Sequence, residues 1–173
     1  MEKIYATLLS RSGEKIEIRR AAAEGAGELL ELQSRSIDPA TFAAITKEEI
    51  EESAKLDTLL AAFVGNRPVA LNIILKNRPS DRSLAPDIGE SYDAVATFDG
   101  VIVDPEYRGL GLQRIFLGLA IGEAEKWGAR KLAATVAPGN FYSRENFRRM
   151  GFSELGEFPK YGGVRIIVTK DID

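Results

Sequence analysis

The chain has 173 residues, 45% of them hydrophobic and 28% charged, with a net charge of −3 and a pI near 5.3; this is the profile of one compact domain with one sizeable core. That balance gives no basic field able to neutralise a phosphate backbone, so no nucleic-acid partner is expected. No signal-type start or bilayer-length apolar run occurs either, so a cytoplasmic protein without a membrane partner is expected.

Cysteine and histidine are both absent, which removes disulfides, thiolate metal sites, Ser/His/Asp and Cys/His nucleophiles and any thioester intermediate on the protein. Only carboxylates remain as ordinary metal ligands, and no metal is called for.

In chain order, Ile4 to Leu9 and Lys15 to Arg20 are β-prone runs joined by the turn-rich 10–14 stretch, an expected hairpin. A first helix through Leu29, Leu30, Leu32 and Gln33 ends near Asp38-Pro39, and Thr46-Lys47-Glu48-Glu49 reads as a capping box opening a second, acidic helix. Asp57 to Val64 and Val69 to Leu75 flank the turn Gly65-Asn66-Arg67-Pro68. The excursion from Lys76 to Tyr92 is rich in Pro, Asp, Ser and Gly and is long enough to be functional.

The central strand runs from Ala94 to Val103. Strict alternation puts Val95, Thr97, Asp99, Val101 and Val103 on one side and Ala96, Phe98, Gly100 and Ile102 on the other. Gly100 marks a bulge or a close approach by another group. A long helix follows Asp104-Pro105, its apolar face read as Leu112, Ile115, Phe116, Leu119, Ala120 and Trp127. A strand over Lys131 to Val136, a short helix over Asn140 to Met150, and strands over Phe152 to Glu157 and Val164 to Thr169 complete a mixed α/β sheet.

The most informative stretch is strand, Asp104-Pro105-Glu106-Tyr107, then Arg108-Gly109-Leu110-Gly111-Leu112-Gln113-Arg114 at the head of an amphipathic helix. Helix-start amides point outward, the helix dipole is positive there, and glycines let the backbone approach oxygen atoms, so the stretch reads as a diphosphate cradle with Arg108 and Arg114 adding charge. A P-loop would need Gly-Lys-Ser/Thr, and a dinucleotide fingerprint would need a third glycine where Arg114 stands.

Val103, Pro105, Arg108 and Gly111 resemble motif A of the GNAT superfamily, Val-x-Pro-x-x-Arg/Gln-x-x-Gly-x-Gly/Ala, with Gln113 replacing the usual small residue. Asn140, Ser143, Phe147, Gly151 and Phe152 are similar to its motif B, and helical spacing puts the first three on one face. The resemblance implies a GNAT-type fold: a mixed, mostly antiparallel twisted sheet flanked by helices, with a bulged central strand. It implies acetyl-CoA as co-substrate. Val101, Ile102 and Val103 would pair with the pantetheine arm, the amides of Arg108, Gly109, Leu110, Gly111, Leu112, Gln113 and Arg114 would hold the pyrophosphate, and Asn140, Ser143 and Phe147 would face the cofactor.

The expected activity is acetyl transfer to a small-molecule or peptide amine by direct attack in a ternary complex, with backbone amides around Gly100 to Val103 receiving the carbonyl. A catalytically inactive acyl-CoA sensor is the alternative. Asp99 is the candidate base. Many relatives carry a tyrosine where this chain has Phe147, so Tyr107, Tyr161 or water is left to protonate the sulfur. Acceptor contacts are expected from Ile37 to Ile45, the Lys76 to Tyr92 excursion and the Phe158 to Gly163 turn. The oligomeric state stays open, a homodimer included.

Overall fold

The computed structural model describes residues 1–40 and 42–173; Thr41, inside the 37–45 connection, lies outside the described residues. Eight strands form one sheet: β1 (Ile4–Leu9), β2 (Lys15–Arg20), β3 (Leu59–Val64), β4 (Arg67–Leu75), β5 (Val95–Val103), β6 (Lys131–Val136), β7 (Ser153–Lys160) and β8 (Gly163–Asp171). Their spatial order is β1-β2-β3-β4-β5-β6-β8-β7, and every pairing is antiparallel except β5 with β6.

The helices α1 (Ala26–Ser36) and α2 (Lys47–Lys55) cover one face. Their buried residues Leu29, Leu32 and Ile50 pack with Leu59, Leu71 and Ile73 of the sheet. On the other face lie α3 (Leu112–Lys126) and α4 (Phe141–Arg149), where Phe116, Leu117, Ala120 and Phe147 join Ile18, Leu60, Ile74 and Leu132. The mostly antiparallel mixed sheet flanked by helices is therefore as expected. Among the described residues, no helix is long and apolar enough to cross a membrane.

Local chemistry sets the boundaries. α1 buries Leu29, Leu32, Gln33 and Ser36, a helical stripe, and gives way to extended backbone at Ile37, just before Asp38-Pro39. The box at Thr46 forms: its hydroxyl accepts from the Glu49 amide at 3.1 Å, and the Glu49 carboxylate accepts from the Thr46 amide at 2.8 Å. The Gln33 side chain bonds both backbone groups of Ile45, at 3.0 and 2.7 Å, and so pins the end of the 37–45 connection to α1.

Three expectations change. The β3–β4 turn is shorter than read, because Arg67 and Pro68 already belong to β4. The buried face of α3 is Leu112, Gln113, Phe116, Leu117, Ala120 and Ala124; Ile115 and Leu119 are only half-buried, and Trp127 caps the helix end. The expected 158–163 turn shrinks to Tyr161-Gly162, both with positive φ (55° and 74°), the geometry that a two-residue hairpin loop demands.

Candidate active site

β5 and β6 run together only from Val95 opposite Lys131 to Phe98 opposite Ala134. Beyond that point β6 stays with β8 as far as Val136 opposite Ile166, while β5 stays with β4 as far as Val103 opposite Ala70. The sheet splits between them.

The departure coincides with a bulge, because Ile74 faces Phe98 while its neighbour Ile73 faces Gly100, leaving Asp99 without an opposite residue. One surplus residue reverses the alternation. Ala96 and Phe98 point to the α3 face, Val101 and Val103 also pack there, and Ile102 packs with the α1–α2 cluster. Alternation through the whole strand, which put Val101 and Val103 on the side of Val95, Thr97 and Asp99 and Gly100 and Ile102 on the side of Ala96 and Phe98, is thereby corrected beyond Asp99. The bulge and the close approach read from Gly100 both occur: a Cβ there would lie 3.3 Å from Ile45 Cδ1 and 3.5 Å from the Phe42 ring.

After the bulge, the Asp104 amide donates to Val69 O at 2.9 Å, so strand alternation turns the Val101 and Val103 N–H groups away from β4 and into the split.

Two cavities meet there. The larger, about 550 Å³, runs from the head of α3 along Val101, Ile102 and Val103 to Asn140 and Ser143. Gly109 and Gly111 line its far end in left-handed backbone, φ 79° and 83°, and the N-cap Gly111 brings no side-chain cap to the first amides of α3. Leu112 is buried beneath them and Leu110 packs on the same core.

Of the two cations read at the cradle, Arg108 is engaged elsewhere and Arg114 lies at it. The Arg108 guanidinium is taken by main-chain carbonyls, Ser36 O at 2.6 Å and Val103 O at 3.4 Å, so it ties α1 to the strand end. Arg114 folds back over Gly111, with Nη2 3.4 Å from where a Cβ would stand. Arg11, on the β1–β2 turn, donates to Arg108 O at 2.7 Å and lies 2.7 Å from a Cβ built at Gly109. It was not read from the sequence, since nothing in a hairpin turn announces a neighbour so distant in the chain.

Gln113 has a structural explanation. Its amide donates to Ser143 Oγ at 2.7 Å and accepts from Asn146 at 2.9 Å, joining α3 to α4. Asn140 caps α4 by accepting from the Ser143 amide at 3.1 Å.

The second cavity, about 250 Å³, shares Phe42, Val101, Asn140 and Ser143 with the first and continues past Phe98, Asp99 and Gly100 to Thr135, Tyr161 and Arg165. All three segments expected to supply acceptor contacts reach it, through Phe42 to Ile45, Arg82 and Tyr161. Lys160 holds the hairpin tip to Asp87 of the excursion at 3.1 Å.

Asp99 is 9% exposed and receives Arg82 Nη1 at 2.7 Å, while Glu49 stands 3.7 Å from the same guanidinium. Burial pushes the Asp99 carboxyl up to about 6, against the pull of Arg82 and with a further push from Glu49. Burial also raises the Tyr161 phenol, with Asp99 and Asp87 adding to the effect.

Phe147 is buried edge-on against Phe98 and Phe152, with ring centroids at 6.0 and 5.2 Å, and lines the second cavity. Tyr107 is elsewhere: it lines the first cavity, its side chain is buried in the core, and its hydroxyl donates to Glu14 Oε2 at 3.2 Å. Among the described residues, no cluster of carboxylates could hold a metal ion.

The family model described as "Acetyltransferase (GNAT) family" matches residues 25–152. No curated protein sequence matches the chain.

Among solved structures, the fold is similar to that of yncA, an acetyltransferase candidate from Salmonella typhimurium solved with its cofactor acetyl-CoA; identity is 18%, coverage 91% of this chain and 94% of that one, and the TM-score 0.70. It is likewise similar to the GNAT domain of S. lividans PAT, at 20% identity, 96% coverage of both chains and a TM-score of 0.72. A GNAT-family acetyltransferase from Streptococcus pneumoniae aligns at 21% identity over 91% of this chain and 99% of that one, with a TM-score of 0.69. At these identities the likeness is one of fold.

Proposed function

The chain belongs to the GNAT acetyltransferase family, and from that premise we propose that it transfers the acetyl group of acetyl-CoA to an amine by direct attack within a ternary complex. The observation that carries this reading is the meeting of two cavities at the sheet split, with Phe42, Val101, Asn140 and Ser143 lining both. Two reactants entering from opposite ends would meet at these residues.

The first cavity fits coenzyme A by its chemistry. A diphosphate suits the helix-start amides that follow Gly109 and Gly111, two left-handed positions without a Cβ, with Arg11 and Arg114 alongside. Val101 and Val103 offer N–H groups along the strand edge, the pattern an extended amide-bearing arm can pair with. Acetyl-CoA supplies the activated acyl group when bound.

The remaining work falls to the chain. Asp99 takes a proton from the incoming ammonium, for which a carboxyl near 6 is suited at neutral pH. The new N–C bond forms as the C–S bond breaks, and a proton goes to sulfur from Tyr161 or from water. With no Cys or His in the sequence, neither a cysteine nucleophile nor a histidine-activated serine is available to carry the acyl group, which supports direct attack.

The rival reading, a cofactor sensor without turnover, draws on Phe147, whose ring has no proton to give. Calorimetric titration with acetyl-CoA, combined with thiol release across a panel of amines, separates the two. We expect binding together with turnover of at least one amine, and kinetics without a ping-pong pattern. Binding with no turnover on any amine would favour the sensor.

A further inference from the structure

Arg165 lies on β8 just before Ile166, which faces the last residue of β6, and it lines the smaller cavity. It is 7% exposed, yet its hydrogen bond is to a main-chain carbonyl, Val164 O at 3.0 Å. Tyr161 offers a ring face 5.8 Å from the guanidinium carbon. Among the described residues no carboxylate forms an ion pair with it, whereas Arg82, the cavity's other cation, is paired with Asp99 and Glu49.

A buried guanidinium without a counter-ion is costly, and its planar fork matches a carboxylate with two parallel hydrogen bonds. The cavity is thus two-ended in charge. Glu49 and Asp99 share one arginine on the β5 side, and an unmatched cation stands on the β8 side, two strand spacings or roughly 10 Å away. A volume near 250 Å³ lies below the usual range for drug-sized ligands, which suits a small acceptor.

Resting on the acyltransferase reading above, we infer that the acceptor is a small zwitterion, an amine that also carries a carboxylate, with Arg165 receiving the carboxylate and the Asp99–Glu49 side receiving the ammonium. Arg165 is then a binding residue that selects among amines. It takes no part in proton transfer.

The test measures thiol release from acetyl-CoA with free amino acids, their carboxamides and the matching decarboxylated amines. Free acids should exceed carboxamides in kcat/KM by roughly 10- to 100-fold, the range for a charge-assisted pair. Arg165→Gln should erase that preference by raising KM for the acids, with the acetyl-CoA dissociation constant unchanged as the check on folding. Arg165→Lys should keep part of the preference.

Equal rates for acids and carboxamides in the wild type, or the same preference in a folded Arg165→Gln, overturn this inference and leave the acyltransferase intact. Should Arg165→Gln fail to bind acetyl-CoA, the wild-type acid-to-carboxamide ratio and Arg165→Lys decide the matter. Binding of acetyl-CoA with no turnover on any amine overturns both readings.

Discussion

The two cavities are built from different material. The larger one offers a ligand backbone groups above all, the N–H groups of β5 beyond its bulge and those at the head of α3 beside the left-handed Gly109 and Gly111. The smaller one is made of side chains brought together from the 37–45 connection, α2, the excursion, β5 and the β7–β8 hairpin. A backbone site constrains a few neighbouring positions tightly, whereas a side-chain site can be rebuilt one residue at a time. Cofactor recognition and acceptor choice should therefore respond to different substitutions.

Asp99→Asn should give the largest effect. Loss of a general base lowers kcat/KM for the acceptor by about 100- to 10,000-fold. The acetyl-CoA dissociation constant should stay put. In the wild type the rate should fall below about pH 6, where the carboxyl takes up its proton, and this limb should vanish in the variant. A limb that persists unchanged removes Asp99 from the mechanism, and a large loss of cofactor affinity breaks the separation of the cavities.

The same residue makes a prediction about stability. Its folded carboxyl titrates near 6 against an ordinary 3.8, so between those values the native state holds a proton that the unfolded chain has released. Stability contributed by the protonated form is complete below pH 3.8 and is lost as pH rises through 6, by about 3 kcal/mol. Glu145, held down to about 2 by Arg148 and Arg149, works in the opposite direction at lower pH, so the quantity to read is a difference. Urea midpoints should show Asp99→Asn gaining on the wild type between pH 4 and pH 7. A constant difference would mean that Asp99 is not desolvated as described.

Gly111→Val probes the other cavity. A β-branched residue at φ 83° strains the N-cap of α3 by about 1–3 kcal/mol and crowds the amides beside Arg114. Acetyl-CoA affinity should fall roughly 10- to 100-fold, the worth of one charge-assisted contact. Acceptor preference, read as a ratio of kcat/KM values, should not change.

The same contrast governs what the sequence reveals. Val103, Pro105, Arg108, Gly111, Asn140, Ser143, Phe147, Gly151 and Phe152 lie within one βαβα run, where spacing alone brings them together, and β1, β2 and β6 begin and end where their residues suggest. The phase of β5 was not legible beyond Asp99, because a bulge depends on the partner strand and one surplus residue reverses every later side chain. Arg108 was assigned to phosphate because its competitors, the carbonyls of Ser36 and Val103, depend on where α1 ends in space.

Glu49, Arg82 and Arg165 were not picked out as site residues, since they come from α2, a loop and β8. Arg82 lay within an expected acceptor segment without being singled out, and Arg165 carried a signal of its own: a lone charge in the otherwise apolar run Val164-Arg165-Ile166-Ile167-Val168 needs either a partner or a purpose.

Thr46→Ala should give the smallest effect and tests how far the acceptor side depends on its scaffold. The Thr46 hydroxyl accepts from the Glu49 amide, and its loss costs about 1 kcal/mol of stability, most of which Thr46→Ser should retain. The Glu49 carboxylate is held by the Thr46 amide at 2.8 Å and lies 3.7 Å from Arg82, so loosening the first turn of α2 reaches the group that flanks Asp99. The route from Thr46 to the head of α3 is longer, through Ile45 and Gln33 of α1 to Ser36 and Arg108. Acceptor KM should thus rise about two- to threefold, taking the charge-assisted contact as weakened but not lost, while acetyl-CoA KM stays fixed. A matching rise in acetyl-CoA KM would mean that the two cavities share a mechanical support.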